Sequence, residues 1–175
     1  MSHPHFAQGD QPSLLQVLDR REERQTHIRE LLQGDPRRLL VMLTLNIPGP
    51  VKNNSWIRGL AEEGRELFRQ SWNFPLAFPQ EDVKLDLPTG PEVYWVLDGG
   101  EATRLKRWTV GLEEKSDRSR IFDWDVYTQQ GQLSRQDVGC SERSCFLCGK
   151  PAKICARSRA HTVDEMLDYL EKLLF

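Results

Sequence analysis

Two aspartates, Asp123 and Asp125, stand two positions apart in the otherwise apolar and aromatic segment RIFDWDVY, residues 120–127. In an extended strand every second side chain points to the same face, so the two carboxylates would lie side by side, about 6–7 Å apart along the backbone. Trp124 and its apolar neighbours would point to the other face and be buried. Carboxylates this close repel each other unless a cation or a shared proton compensates, and Mg²⁺ takes oxygen ligands. The spacing fits a magnesium site, and it also fits a solvated strand face.

A second group of residues has the spacing of a metal site. Cys145, Cys148, Cys155 and His161 follow the pattern C-x2-C-x6-C-x5-H. Two thiolates separated by two residues can hold one zinc ion from a single turn, and a third thiolate with an imidazole completes a tetrahedral set. The second half of the pattern is shorter than in most zinc fingers, so buried free cysteines or a redox pair are the alternatives. The clustering of all four cysteines between positions 140 and 155 favours metal binding or catalysis over a disulfide framework.

Basic residues at three places could contact an anion. Arg21 and Arg24 lie in a predicted helix, where interleaved glutamates also fit a solvated helix face. Lys52 follows a Pro-Gly-Pro loop between a predicted strand and a helix start. Free backbone N–H groups at such a junction can receive an anion, although a plain turn explains the same residues. The remaining candidates, whose guanidinium groups suit phosphate oxygens, form a cationic cluster before the last helix: Arg157, Arg159 and His161.

Hydrophobic periodicity predicts the elements that position these groups. An Asp-Gly-Gly turn predicts that two neighbouring strands form an antiparallel hairpin. The order of elements predicts a single domain of the α+β class, with a mixed, largely antiparallel sheet packed with about three helices. Residues 1–11 are expected to form a flexible tail and residues 12–175 the domain. The predicted helices cover residues 14–32, 55–72 and 162–174, and the predicted strands cover residues 38–47, 92–98, 103–112 and 120–127.

Length and composition restrict the class of protein. A chain of 175 residues can bury a core of its own. The net charge of −2 does not favour non-specific nucleic-acid binding. No apolar run approaches the roughly 20 residues of a membrane span, and the polar start MSHPHFAQGDQP lacks the apolar centre of a signal peptide. We therefore expect a cytoplasmic protein without a nucleic-acid or membrane partner.

Four segments of the chain together carry a family resemblance. In order they are LLQVLDRREERQ, PGPVKNN, RIFDWDVYTQQGQLSRQDVG and CFLCGKPAKICARSRAH. They resemble the citrate lyase holo-acyl-carrier-protein synthase family, the CitX proteins, over nearly the whole chain. Two positions depart from the family pattern, because Ser119 stands where glycine is expected and Ser144 stands where a second arginine is expected. Neither departure alters a candidate ligand, but the missing arginine weakens a phosphate site at Cys145.

The resemblance implies a transferase of the nucleotidyltransferase type. Its donor would be 2'-(5''-triphosphoribosyl)-3'-dephospho-coenzyme A, its acceptor a serine of the acyl-carrier (gamma) subunit of citrate lyase, and its by-product pyrophosphate. With that chemistry, Asp123 and Asp125 become magnesium ligands, and one of them or His161 would accept the serine proton. The cations become candidate phosphate clamps: Arg21, Arg24, Lys52, Arg157 and Arg159.

Two alternatives stay open beside this function. The same transfer onto the carrier subunit of malonate decarboxylase would use the same chemistry with another acceptor. A non-catalytic zinc-binding adaptor, acting through residues 140–161, would leave Asp123 and Asp125 with a structural role only.

Overall fold

A computed structural model describes residues 3–79 and 83–175. Within these residues the chain forms one five-stranded sheet and five α-helices in a single domain, which confirms the predicted α+β class with more helices than the three expected. No helix in these two ranges combines the length and apolarity that crossing a membrane requires. The strands are β1 (Arg38–Leu45), β2 (Val83–Leu85), β3 (Glu92–Asp98), β4 (Phe122–Thr128) and β5 (Gly131–Leu133), and the helices are α1 (Leu14–Leu31), α2 (Ser55–Gln70), α3 (Ala102–Glu113), α4 (Ala152–Ser158) and α5 (Val163–Leu174).

The sheet has the strand order β2-β3-β1-β4-β5, with antiparallel pairing throughout. The central strand β1 is buried because both of its neighbours are strands and both of its faces are covered. Val41 and Leu43 belong to the larger core, which also contains apolar side chains of α2, α3 and α5. Leu40 and Met42 belong to a smaller core on the opposite face, shared with Ile28 of α1. The alternation of β1 therefore separates two layers of helices.

Three helices begin at residues whose side chains cap them. Ser13 accepts a hydrogen bond from the backbone of Gln16 at the start of α1, and Thr162 makes the equivalent bond with Glu165 at the start of α5. Asn54 caps α2. Each cap satisfies a backbone N–H that has no partner within the helix, and such caps typically contribute about 1 kcal/mol. The polar residues before these apolar runs thus fix where each helix starts.

The strand predicted over residues 103–112 is wrong, because this segment forms α3. Its buried positions Leu105, Thr109 and Leu112 recur at intervals of four and three, which is the helical period. The preceding Gly99 and Gly100 both adopt positive φ, at 105° and 111°. These glycines let the chain leave the sheet and enter a helix instead of closing the predicted hairpin.

The α3 helix covers a free edge of the sheet. Because β5 pairs only with residues 126–128 of β4, the earlier half of β4 lacks a neighbouring strand on that side. The carboxylate of Glu113 accepts a hydrogen bond from the backbone N–H of Trp124 at 3.0 Å, and the ammonium group of Lys106 donates to the carbonyl of Trp124 at 3.0 Å. Two charged side chains thus replace the missing strand and satisfy its backbone groups.

Residues 3–10 contact both α2 and α5. Phe6 is buried in the larger core, and the ring of His5 pairs with the carboxylate of Glu171. Asn54 donates from its side-chain amide to the carbonyls of His5 and Gln8, at 2.9 and 2.8 Å. The flexible tail expected over residues 1–11 stays a prediction, and these contacts give it a direct test.

Candidate functional site

One face of the sheet is partly covered by α1, which contributes Ile28 to the smaller core. Met42 pairs with Asp125 and Thr44 pairs with Asp123 across β1 and β4. Paired residues on neighbouring strands share a face, so both aspartates lie on the face that α1 partly covers. Their neighbour Trp124 points into the larger core on the other side, as the sequence alternation predicted.

Asp123 and Asp125 line a cavity of about 350 Å³, called here the carboxylate cavity. Four cationic side chains and two further carboxylates line the cavity with the pair, a feature that the sequence did not predict. The charged groups of the cavity are Lys106, Glu113, Asp123, Asp125, Arg135, Glu142, Arg143 and Lys153.

Asp125 is the more strongly perturbed of the two aspartates. Its side chain is 19% exposed, and the ammonium group of Lys106 lies 3.7 Å from its oxygen. Burial and the neighbouring charge of Asp123 raise the pKa of Asp125 to about 6, although Lys106 acts in the opposite direction. The two carboxylates therefore have a free-energy cost of joint ionisation that a bound divalent cation would remove.

Glu113 connects the cations of the cavity to the edge of β4. Burial raises its pKa, while the guanidinium groups of Arg143 and Arg135 oppose that rise. Arg143 lies 2.8 Å from Glu113 and 3.0 Å from Asp123, so it bridges two of the carboxylates. Lys106 escaped prediction because its segment, residues 103–112, was assigned to a strand, and Glu113 follows that segment directly. Arg135 lies within one of the four resemblance segments and Arg143 lies between two of them, but neither was predicted for the site, since both reach the cavity only through the fold.

A second cavity of about 180 Å³, the cationic cavity, lies between α1 and the ends of β1 and β3. It brings together three of the predicted phosphate-binding residues, Arg21, Arg24 and Lys52, and adds Arg20. Thr44 also lines this cavity, and its strand partner Asp123 lines the carboxylate cavity. The two cavities therefore adjoin across β1 and β4.

The charges of the cationic cavity are only partly compensated. The buried carboxylate of Glu92 pairs with Arg20 and with Arg24, each at 2.6 Å. Lys52 donates to the carbonyl of Ile47 at 2.8 Å, and burial lowers its pKa. Four cationic side chains thus share one carboxylate among the residues that line this cavity, which leaves a net positive site for an anion.

The four residues of the C-x2-C-x6-C-x5-H pattern form one cluster. The ligand atoms of Cys145, Cys148, Cys155 and His161 all lie within 4.8 Å of one another, and the sulfurs of Cys148 and Cys155 are 3.4 Å apart. The buried Nε2 atom of His161 has no hydrogen-bond partner. In a tetrahedral zinc site with Zn–S bonds of about 2.3 Å, the sulfurs are about 3.8 Å apart. The donor set and its unpartnered nitrogen therefore fit a bound metal ion.

Local backbone structure explains how these four residues meet. Gly149 has a φ of 70° and turns the chain after Cys148. The backbone N–H of Cys145 donates to the carbonyl of Lys150 at 2.6 Å, which closes the turn. Cys155 follows on α4, and His161 lies just before α5. We call residues 143–161 the cysteine knuckle.

The thiols of the knuckle differ in acidity. Hydrogen bonding with Cys148 and burial raise the pKa of Cys155 to about 11. Burial also acts to raise the pKa of Cys145, but hydrogen bonds from the backbone N–H groups of Leu147 and Cys148 outweigh it and lower that pKa. Cys145 is therefore better prepared for a metal than Cys155, because ligands must be deprotonated.

Arginine side chains attach the knuckle to the start of β4. Arg143 donates to the carbonyl of Arg120 at 2.9 Å, and Arg120 donates to the carbonyls of Ser144 and Cys145 at 3.0 and 3.1 Å. Because Arg143 also contacts Asp123, the position of the knuckle affects the charge next to the aspartate pair.

Two predicted phosphate-binding residues lie away from the aspartates. Arg159 lines a third cavity beside the knuckle, and Arg157 is exposed on α4. Neither is among the residues that line the carboxylate and cationic cavities in the described parts of the chain. His161 likewise lies in the cysteine cluster and does not line the carboxylate cavity.

Comparison with known proteins places the chain among transferases. The sequence profile of CitX, described as apo-citrate lyase phosphoribosyl-dephospho-CoA transferase, matches residues 12–175. A protein of Streptococcus pyogenes serotype M5 (strain Manfredo), named probable apo-citrate lyase phosphoribosyl-dephospho-CoA transferase, is 33% identical over 179 residues, covering 99% of this chain and 91% of the relative. The Escherichia coli O1:K1 / APEC protein named apo-citrate lyase phosphoribosyl-dephospho-CoA transferase is 33% identical over 177 residues, covering 98% and 93%.

A longer relative matches this chain over only part of the relative's own length. Protein CitXG of Leuconostoc mesenteroides subsp. cremoris is 30% identical over 176 residues, which cover 97% of this chain and 36% of the relative. The chain thus spans about a third of that protein and nearly the whole of the two shorter ones. These matches show that the chain is a transferase. The chain belongs to the CitX family, as its four sequence segments predicted.

Proposed function

We propose that this chain transfers 2'-(5''-triphosphoribosyl)-3'-dephospho-CoA to a serine hydroxyl on the acyl-carrier (gamma) subunit of citrate lyase, with release of pyrophosphate. The names of the shorter relatives support the donor class and the acceptor enzyme. The observation that carries the proposal is that Thr44 and Asp123, which are paired on the neighbouring strands β1 and β4, line the cationic and the carboxylate cavity respectively. A triphosphate that reacts beside a divalent cation needs an acidic and a basic site in contact.

The aspartate pair is the proposed reaction centre. Asp123 and Asp125 would hold Mg²⁺, which when bound neutralises charge on the phosphate oxygens. The carboxylate oxygens of both residues face the same cavity, and the raised pKa of Asp125 fits a pair that is completed by a cation. Lys106 and Arg143, at 3.7 and 3.0 Å from these carboxylates, keep the pair in place by charge–charge contact.

The transfer itself is a substitution at the alpha phosphorus of the donor. The bond from the serine oxygen to phosphorus forms, the bond to the beta-phosphate oxygen breaks, and pyrophosphate leaves with the electron pair. The cationic cavity supplies Arg21 and Lys52 beside the departing pyrophosphate, and Arg24 shares its charge with Glu92. Such preorganised charge stabilises the transition state without rearrangement.

Asp125 is the proposed acceptor of the serine proton. Its pKa is about 6 in the metal-free protein, so although a bound Mg²⁺ would lower this pKa, the decrease would start from a higher value than that of an ordinary aspartate. We assign His161 to the metal cluster instead, because its ring lies among three cysteine sulfurs and its free nitrogen is buried.

Zinc is the proposed metal of the cysteine cluster, and its role is structural. Three thiolates and one imidazole are a donor set typical of structural zinc sites. The knuckle that this metal would hold contributes Arg143 and Lys153 to the carboxylate cavity. Arg157 and Arg159 would then serve the bound donor from outside the reaction centre.

Mass measurement of the carrier subunit tests the function. The apo carrier subunit of citrate lyase is incubated with donor, Mg²⁺ and this protein, and the expected result is a mass gain equal to the prosthetic group. Asp123→Asn and Asp125→Asn are each expected to reduce the rate on the order of 10²-fold or more. Asp98→Asn is the control, because Asp98 lies at the end of β3 in a surface pair with Arg38.

The outcomes separate this function from its alternatives. A mass gain only on the carrier subunit of malonate decarboxylase would reassign the acceptor. No mass gain on either carrier with the wild-type protein would contradict transfer altogether. Wild-type rates for both aspartate variants would contradict the assigned reaction centre and favour the zinc-binding adaptor.

A further inference from the structure

A third cavity lies between the cysteine knuckle and the start of α5. Its volume is about 620 Å³, larger than the carboxylate and cationic cavities, and most of its surface is apolar. A volume of this size suits a small organic ligand. The lining side chains come from β1's end, the knuckle and α5, and the apolar ones among them are Phe146, Ala152, Ala156, Val163 and Met166. We call it the apolar cavity.

The apolar cavity adjoins the carboxylate cavity. Asn46 and Ala152 line both of them, so the two are separated by no more than a shared wall. Asn46 follows β1, two residues beyond Thr44, whose strand partner is Asp123. A ligand that reacts at the aspartates could therefore reach into the apolar cavity while it remains bound to the protein.

Arg159 is the cationic side chain of this wall. It lines the apolar cavity together with three residues of the cysteine cluster, Cys145, Cys155 and His161, and no Asp or Glu is among the lining residues in the described chain. Residues 143–161 contain five Lys and Arg residues and no Asp or Glu, in a chain whose net charge is −2. Such a cavity suits a ligand with a long, mostly uncharged arm that carries phosphate at one end.

We propose that the apolar cavity binds the pantetheine arm of the donor's dephospho-CoA portion, with Arg159 beside the diphosphate to which that arm is attached. This subsite rests on the proposed function. The arm is a hydrocarbon chain interrupted by two amides, and Asn46, Ser144 and Thr162 supply polar partners for amides in the cavity wall. The adenine ring, with polar atoms around most of its edge, fits so apolar a lining less well.

The bound donor would then have a single orientation across the three cavities. The pyrophosphate end would lie in the cationic cavity at Lys52, the alpha phosphorus at Asp123 and Asp125, and the pantetheine end beside Met166. Binding energy from the remote, non-reacting arm would then position the reacting phosphorus.

Calorimetric titration with dephospho-CoA tests the subsite without any need for transfer. The wild-type protein is expected to bind dephospho-CoA, and filling the cavity by Ala156→Trp or Met166→Trp is expected to weaken binding about tenfold or more. Ile154→Trp is the matched control, because Ile154 lies on the same helix α4, is 56% exposed and does not line the cavity. Zinc content and thermal melting of each variant establish that the knuckle is intact.

ADP distinguishes the pantetheine arm from the adenine ring. ADP contains the base and the diphosphate but no pantetheine, so the tryptophan variants are expected to bind it as the wild type does. Loss of ADP binding equal to the loss of dephospho-CoA binding would overturn the assignment of the arm. Absence of dephospho-CoA binding by the wild type, or unchanged binding by both folded variants, would also overturn it. Failure of the proposed function would appear separately, as no mass gain on the carrier despite dephospho-CoA binding.

Discussion

Asp125 combines partial burial with a second carboxylate on the same strand face. Its pKa lies at about 6, above the usual 3.8 of an aspartate, because burial and Asp123 both disfavour its charged form. The folded protein therefore binds the Asp125 proton more tightly than the unfolded chain does. The stabilisation from this proton is fully present below pH 3.8 and is lost as the pH rises through 6. At neutral pH the ionised aspartate lowers the stability of the metal-free protein.

Replacing this charge is expected to stabilise the protein. Asp125→Asn should raise the free energy of unfolding at pH 8 by at most about 3 kcal/mol, the equivalent of a pKa rise of this size. The increase should disappear towards pH 4, where the wild-type residue is protonated in the folded state. Urea denaturation at both pH values, without metal, measures the difference.

Magnesium provides the control for this prediction. Added Mg²⁺ should raise the melting temperature of the wild type and have a smaller effect on Asp125→Asn, because binding to the folded state stabilises it by mass action. A variant that is less stable than the wild type at pH 8 would contradict the electrostatic account. So would a stability difference that is equal at pH 4 and pH 8.

Lys106 is expected to set the pH at which the aspartates work. Its ammonium group lies 3.7 Å from Asp125 and lowers that residue's pKa. Lys106→Met should therefore raise the pKa of Asp125 further and move the acidic limb of the rate profile to higher pH. Lys115→Met, on the exposed end of the α3 segment, is the control. Transfer rates between pH 5 and pH 8 measure the limb, and an unchanged limb in a folded variant would contradict this role.

At the scale of elements, local patterns predicted the parts whose period is clear. The strands β1, β3 and β4 and the helices α1, α2 and α5 were predicted because alternation, helical period and caps agreed there. The strands β2 and β5, three residues each, and the short helix α4 are too brief for a period to show. The α3 segment failed because its β-branched and aromatic residues resemble those of a strand, while its buried positions follow a helix.

The candidate site, like the helices and strands, was predictable only in part. The cluster of Cys145, Cys148, Cys155 and His161 was predicted from spacing because all four residues lie within one short segment, residues 145–161. The aspartate pair was found because strand alternation is a local rule. Glu113 and Arg143 could not be found, since Glu113 acts through a sheet edge that exists only once β5 ends early. Arg143 reaches Asp123 through the tertiary fold, and no local spacing in the sequence predicts that contact.

The cysteine knuckle is expected to depend on its metal. Cys155→Ser should abolish stoichiometric zinc and disorder residues 143–161, because structural zinc contributes folding free energy directly. The sheet should persist, since the larger core contains neither Cys145 nor Cys155. Transfer should fall because Arg143 and Lys153 are no longer held at the carboxylate cavity. Metal analysis, limited proteolysis and the carrier mass assay measure the three effects.

Cys140 supplies a matched control within the same segment of the chain. It is half-buried and lies outside the cysteine cluster, so Cys140→Ser should keep zinc and activity. Wild-type protein purified without chelator and found to lack stoichiometric zinc would contradict the metal site, leaving the cysteines as redox or core residues.

At the scale of the whole molecule, the segment of residues 3–10 links two helices that are distant in sequence. The backbone of Asp10 donates to the carbonyl of Asn53 at 2.8 Å, near the start of α2. His5 stacks on Phe175 and contacts Trp56, with ring centroids at 3.6 and 4.5 Å. These contacts close the larger core where α2 and α5 meet the segment of residues 3–10.

Shortening the side chain of Phe6 distinguishes a flexible tail from a structural segment. If residues 3–10 hold α2 and α5 together, Phe6→Ala should lower the free energy of unfolding by about 3 kcal/mol, because a buried phenylalanine leaves a cavity when truncated. Leu14→Ala, at an apolar residue that is 76% exposed on nearby α1, should change it by less than about 0.5 kcal/mol. Transfer at 25 °C should be retained in both variants, since neither residue lines the carboxylate or cationic cavity. Equal urea midpoints for the wild type and Phe6→Ala would instead support the flexible tail, and the core would then have to be closed by α2 and α5 alone.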